Sequence, residues 1–278
     1  MHRLLLFVVA LASIGDVAFG QSLEGRLKQI SETKVVKLAH RTDAKPFSFV
    51  NAQGQPDGYT VDLCKFVVHS LELQLDAKLT IAWVPVDSQS RFDSVTSGLA
   101  DMECGSSTVS FERMTKVDFS SFIFLENTGV LVRTSSEISS VADLGGRKVA
   151  VIAGTTNEVA LKKELQRRQL QTSLVPVKDR QEGVMKLESG AVDGFASDKL
   201  LLIGAKNAEA SAYKILPEDL SYEPYAIALP RGDSDFRLAV NRGLSHLYSS
   251  PEILNIYRCN RSKPRSYARG GLYLWHFS

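Results

Sequence analysis

Ser97-Gly98-Leu99-Ala100-Asp101-Met102 returns as Ser189-Gly190-Ala191-Val192-Asp193-Gly194, 92 residues further along the chain. In both places an amphipathic run precedes the glycine and an apolar run follows the aspartate. Glycine just past a helix end suits the left-handed cap, and the next residues read as a strand. The same helix–glycine–strand signal, repeated about one domain apart, predicts two α/β lobes of like design. A chance match over six positions is the competing reading, so the rest of the chain has to carry weight.

It does. Strand-like runs fall at residues 35–39, 79–86, 102–104, 130–132, 148–152, 173–177, 194–196 and 226–229. Helix-like runs lie between them, at 61–73, 90–97, 157–169, 180–189 and 235–249. Strands alternating with helices over short connections imply mostly parallel sheets covered on both faces. No low-complexity segment or long linker separates the halves. Two lobes joined in that way share a stiff hinge, and residues 122–128 and 222–226 are where the chain is expected to cross.

The ends read differently. His2 and Arg3 precede an apolar run from Leu4 to Ile14, and Ala18-Phe19-Gly20 offers small residues for cleavage before Gln21. That is a secretory signal peptide over residues 1–20, too short in its apolar part to span a bilayer. Gln21, where a lipid-anchored form would have Cys, favours a soluble product. A formal net charge of +2 gives no reason to expect nucleic acid or a membrane surface as the main partner. Cys64, Cys104 and Cys259 allow three pairings, among which the sequence does not choose.

In open α/β sheets ligands bind at the carboxyl ends of strands, against helix N-termini. Four stretches place polar residues there: His40 to Phe49, Val86 to Arg91, the loop from Ser106 to Arg113, and Ile152 to Glu158. Leading into and opening the third, in Glu103-Cys104-Gly105-Ser106-Ser107-Thr108, glycine and small hydroxyls leave room for a ligand to reach backbone N–H groups. Arg113 then adds a guanidinium able to grip a carboxylate through two parallel hydrogen bonds. In the fourth, Thr155 and Glu158 have capping-box spacing, for which a plain helix cap is the simpler account.

Taken together, these stretches resemble the periplasmic amino-acid-binding proteins of ABC importers, and among them the glutamate/aspartate binders. The motifs are His-Arg-x(4)-Pro-Phe-Ser, Ser-Gln-x-Arg, Glu-Cys-Gly-Ser-x-Thr and Gly-Thr-Thr-x-Glu-Val. The resemblance implies a type II periplasmic-binding-protein fold with two hinge crossovers. Residues 21–126 with 226–258 would form one lobe and 127–225 the other. It also implies a protein that is not an enzyme, needs no cofactor or metal, acts as a periplasmic monomer and delivers its ligand to permease subunits. Carried over residue by residue, Arg113, Ser106 and Thr108 would hold the ligand α-carboxylate, helped by Thr156. Asp198 would take the ammonium group, and Arg41, Ser88 and Arg91 would face the side-chain carboxylate. Three cations and one anion then match a ligand with two carboxylates and one ammonium.

Two departures stand out. Where the acidic-amino-acid binders usually carry histidine after Lys-Asp, this chain has Lys178-Asp179-Arg180. Arg180 either lines the cleft, adding charge to the distal pocket, or points to solvent. After Tyr257 the chain turns basic instead of ending in an aromatic-rich helix, so residues 259–278 are set apart as a tail. The abruptness of the change suggests an altered reading of the gene's end. An enzyme of dehydratase type on the same fold is the main rival function. Cys104 beside His40 would be its nucleophile, or Glu103 or Asp198 its acid or base, though ligand-pairing carboxylates look the same in sequence. A sensory subunit that presents ligand to a receptor is the other rival.

Overall fold

The computed structural model describes residues 23–205 and 210–261. Helix α1 (Gly25–Thr33) leads into β1 (Val35–Arg41), followed by a small antiparallel meander of β2 (Asp43–Ala44), β3 (Ser48–Val50) and β4 (Pro56–Asp57). Then come α2 (Tyr59–Leu75), β5 (Thr80–Val86), α3 (Arg91–Thr96), β6 (Met102–Glu103), α4 (Phe111–Met114) and β7 (Asp118–Phe119). The long β8 (Phe124–Arg133) is followed by β9 (Lys148–Ile152), α5 (Thr156–Arg167), β10 (Ser173–Val177), α6 (Arg180–Glu188) and β11 (Gly194–Asp198). Next are α7 (Lys199–Ala205), β12 (Tyr213–Ile215) and β13 (Ser221–Tyr225), and the described chain closes with β14 (Ala228–Leu229), α8 (Ser234–Tyr248) and α9 (Glu252–Arg261).

Two large sheets result. The first runs β5-β1-β6-β14-β7 and the second β10-β9-β11-β8-β12, with β13 also paired to β8. The leading three strands of each are parallel and in the same spatial order, while β8 and β14 join their sheets antiparallel. This is the two-lobed α/β architecture that the repeat predicts, but its sheets are mixed and not mostly parallel: β8, β12, β13, β14 and β7 all pair antiparallel.

The repeated motif explains the likeness physically. Gly98 and Gly190 adopt φ of +77° and +76°, the left-handed region that favours glycine. Three residues later each aspartate hooks the neighbouring parallel strand, β1 or β9, through both its N–H and its carbonyl. The Lys37 N–H donates to Asp101 Oδ2 at 2.7 Å, and the Asp101 N–H donates to the Lys37 carbonyl at 2.8 Å. The Lys148 N–H and Asp193 repeat the pair of bonds at 2.9 and 2.7 Å. One turn chemistry thus sets the register of both sheets.

The chain leaves the first sheet after Phe119 and returns to it at Ala228. Between the lobes β8 and β13 form an antiparallel ribbon, Phe124 opposite Tyr225 and Thr128 opposite Ser221. The first lobe's core lies where α2 and α8 cover the sheet: Leu63, Val67, Leu71, Val240, Leu244 and Leu247 are buried. Each such side chain contributes about 1.5–3 kcal/mol on burial. Of the three cysteine pairings left open, the structure contains Cys64–Cys104, Cα atoms 6.3 Å apart, which ties α2 to the loop after β6. Helix α9 continues to Arg261, so residues 259–261 extend a helix and do not begin a tail. The expected signal peptide, residues 1–20, and residues 262–278 of the expected tail lie outside the described residues.

Candidate functional site

The carboxyl ends of the strands face one another across a cleft between the lobes. From the first lobe, β1 ends on Arg41, Ser88 follows β5, Arg91 opens α3, and the loop after β6 carries Ser106 and Thr108. From the second, Thr155, Thr156 and Asn157 start α5, Arg180 is the first residue of α6, and Asp198 ends β11. All of these residues line the cleft. Of the nine side chains singled out in the sequence, eight are therefore brought together. Arg113 is the ninth: it stands behind the wall, its Nη1 donating to the Thr108 carbonyl at 2.8 Å and its guanidinium 5.2 Å from the centre of the Phe92 ring.

The helix starts are built by one device. Thr155 Oγ1 accepts from the Glu158 N–H at 3.3 Å while the Glu158 carboxylate accepts from the Gly154 N–H at 2.8 Å. Asp179, Glu182 and Lys178 repeat this pattern at α6. The expected cap is real, and it presents Thr156 and Arg180 to the cleft. Arg180 is buried, which settles its direction: it points inward.

Burial lowers both Arg41 and Arg91 to about 10, with Asp43 opposing the shift at Arg41 and the charge of Arg113 adding to it at Arg91. Both stay cationic at neutral pH. Burial and the charge of Glu223 raise the carboxyl of Asp198, which accepts from Asn157 Nδ2 at 2.8 Å. Among the described residues, the Nε atoms of Arg41, Arg91 and Arg180 and the hydroxyls of Ser88 and Ser106 are buried without a protein partner. Leaving such donors unpaired is costly, so this wall is suited to a polar, anionic ligand. No group of His, Cys, Asp or Glu that could hold a metal ion occurs among the described residues.

Residues 36–259 match the bacterial extracellular solute-binding proteins, family 3. The chain belongs to this family. It is 35% identical over 254 residues to an L-glutamate/L-aspartate-binding protein of Pseudomonas aeruginosa, covering 90% of this chain and 83% of that one. It is 30% identical over 247 residues to a glutamate/aspartate import solute-binding protein of Salmonella typhimurium, covering 88% and 80%. A solved structure of an ancestral amino acid-binding protein, a precursor of cyclohexadienyl dehydratase, superposes with a TM-score of 0.73 at 25% identity, covering 85% of this chain and 99% of that one. The relatives are binding proteins, and the two lobes here are those of a type II solute-binding protein.

Three residues of this solute-binding protein's cleft are not evident from its motifs. Glu223, buried on β13, accepts from Thr108 Oγ1 and Thr156 Oγ1, each at 2.6 Å, and so contacts one threonine from each lobe. Thr128 and Ser221 complete its shell. Asn157 bridges Asp198 and Thr128. Asp43 lies between Arg41 and Arg180. A lone carboxylate inside the aromatic run Tyr222-Glu223-Pro224-Tyr225 was the available signal for Glu223. Cys104, in its disulfide, is no thiol nucleophile, and among the described residues no helix is long and apolar enough to cross a membrane.

Proposed function

We propose that this protein captures an acidic amino acid, glutamate or aspartate, by closing its lobes on it in the periplasm, and delivers it as a monomer to an ABC permease. The observation that carries the reading is the cleft wall itself. Arg41, Ser88 and Arg91 on one lobe, with unpartnered donors, stand across from Asp198 and Thr156 on the other. In this reading Ser106 and Thr108 anchor the α-carboxylate with help from Thr156, while Arg113 holds the Thr108 loop from behind. Because Glu223 engages both threonine hydroxyls, the incoming carboxylate meets their backbone N–H groups. Asp198 pairs with the ammonium, and Arg41, Ser88 and Arg91 take the side-chain carboxylate. The glutamate/aspartate relatives support the same ligand class. Each charge-assisted hydrogen bond contributes about 1.5–3 kcal/mol, enough in a water-excluding cleft for binding near micromolar.

Ligand that binds only the folded state raises the melting temperature with concentration. Protein stripped of ligand by unfolding and refolding should therefore gain stability with glutamate or aspartate and not with leucine or lysine. Ligand recovered chemically unchanged after incubation separates a binding protein from an enzyme on this fold. No shift with any acidic amino acid, from a folded sample, defeats the proposal.

A further inference from the structure

We propose that Asp43 and Arg180 form an interlobe latch, in which Arg180 secures closure by pairing with the protein's own carboxylate instead of selecting the ligand's. This rests on the solute-binding reading of the cleft. Asp43 belongs to the meander of the first lobe and Arg180 to α6 of the second. One carboxylate oxygen lies 3.0 Å from Arg180 Nη1 and the other 2.5 Å from Arg41 Nη2. The two arginine side chains are only 6% and 2% exposed and the Asp43 side chain 19%, so the pair is largely, though not wholly, withdrawn from water and from screening by salt.

Among the described residues, Asp43 is the carboxylate that forms an ion pair with Arg180. Arg180 is also the first residue of α6, where the helix dipole disfavours a positive charge, so its burial there needs a nearby anion. Burial alone would raise the Asp43 carboxyl, yet the charges of Arg180 and Arg41 hold it below its usual value. The same edge of the first lobe receives α7: a side chain on Gly204 would overlap the Lys45 carbonyl oxygen. The second lobe thus seats closely against this edge, and the ion pair sits in that seam.

Asp43 and Arg180 are positioning residues, and a double-mutant cycle tests the role. With the amino acid that stabilises the wild type, Arg180→Gln should speed ligand release about tenfold. It should leave the ratio of glutamate to glutamine affinity within about twofold, and Arg180→Lys should restore most of the slow release. Asp43→Asn should have a clearly smaller effect in the Arg180→Gln background than in wild type, the remainder coming from its contact with Arg41. Small-angle scattering of the ligand-free proteins adds a readout that needs no ligand: Arg180→Gln should be more open than wild type. A collapsed glutamate-to-glutamine ratio in Arg180→Gln overturns the latch and makes Arg180 a ligand contact. An undiminished Asp43→Asn effect in the double variant overturns it too, assigning Asp43 to Arg41 alone. If wild type binds no amino acid, the solute-binding reading has failed, and unchanged scattering in Arg180→Gln then removes the latch separately.

Discussion

Glu126 and Glu223 stand directly opposite each other in the ribbon of β8 and β13 that joins the lobes. Both are buried, at 7% and 1% exposure, and like charges at opposed positions destabilise a strand pair. The two carboxyls are treated differently. Glu223 accepts hydrogen bonds from four hydroxyls, whereas burial, reinforced by the charge of Asp198, pushes Glu126 up to about 8 against a hydrogen bond from the Asn127 N–H. Glu126 therefore holds its proton at neutral pH in the folded protein and has lost it when unfolded. A folded-state value above the unfolded one means that stability is full at low pH and is lost as pH rises from about 4.5 toward 8. The melting temperature of ligand-free protein should fall across that window, and Glu126→Gln should flatten the slope. Equal slopes in the two proteins would show that another group is responsible.

Most of the fold was legible because it rests on local chemistry. The glycine and aspartate of each repeat act within their own loop and on the adjacent strand, so six residues were enough to predict the unit and its duplication. The capping signal at Thr155 is equally local, and the same cap at Asp179 was there to be read but was not. The meander of β2 to β4 was not legible, since strands of two or three residues have no period to read. Helix α7, Lys199-Leu200-Leu201-Leu202-Ile203-Gly204-Ala205, is a short apolar run in which helix and strand look alike. In the site, eight lining residues were readable because they fall at strand ends within recognisable motifs. Glu223 and Asp43 were not, because their meaning lies in partners 115 and 137 residues away in sequence, Thr108 and Arg180.

Arg113 and Arg91 should separate general from specific recognition. Arg113 fixes the Thr108 carbonyl from behind the wall, at the end of the cleft that every amino acid would share. Arg91 is buried within the wall itself. Arg113→Ala should weaken binding of all amino acids by about tenfold or more, through loss of the charge-assisted hydrogen bond that holds the Thr108 carbonyl in place. Arg91→Ala should weaken glutamate and aspartate by a similar factor and leave glutamine nearly unaffected. Calorimetric titration of both variants with this panel checks the division, which equal losses across the panel in both would refute.

The Cys64–Cys104 bond closes a loop of 40 residues between α2 and the ligand-facing loop after β6. Restricting the unfolded chain over that length contributes about 4 kcal/mol in the loop-entropy account. Reduction, or the double substitution to alanine, should lower denaturant stability by about 3–4 kcal/mol. Because Cys104 lies two residues before Ser106, affinity should also drop. Chemical denaturation with and without reductant measures the first effect, and titration of the reduced protein measures the second.

Asp198 supplies the test of the ammonium site. It ends β11, is buried beside Glu223, and its orientation is set by Asn157 Nδ2 at 2.8 Å. Asp198→Asn removes the charge while keeping the shape, so an acidic amino acid should lose about 100-fold in affinity. Glutarate, which keeps both carboxylates and lacks the amine, should bind the variant at least as well as it binds wild type, since Asp198 offers it only repulsion. The raised carboxyl of Asp198 adds a pH signature: amino-acid affinity should weaken on acidification sooner than an ordinary aspartate would allow. Titrations of wild type and variant with glutamate and glutarate over a pH series measure both. If glutarate loses as much as glutamate on substitution, Asp198 holds the cleft together and does not read the ammonium group.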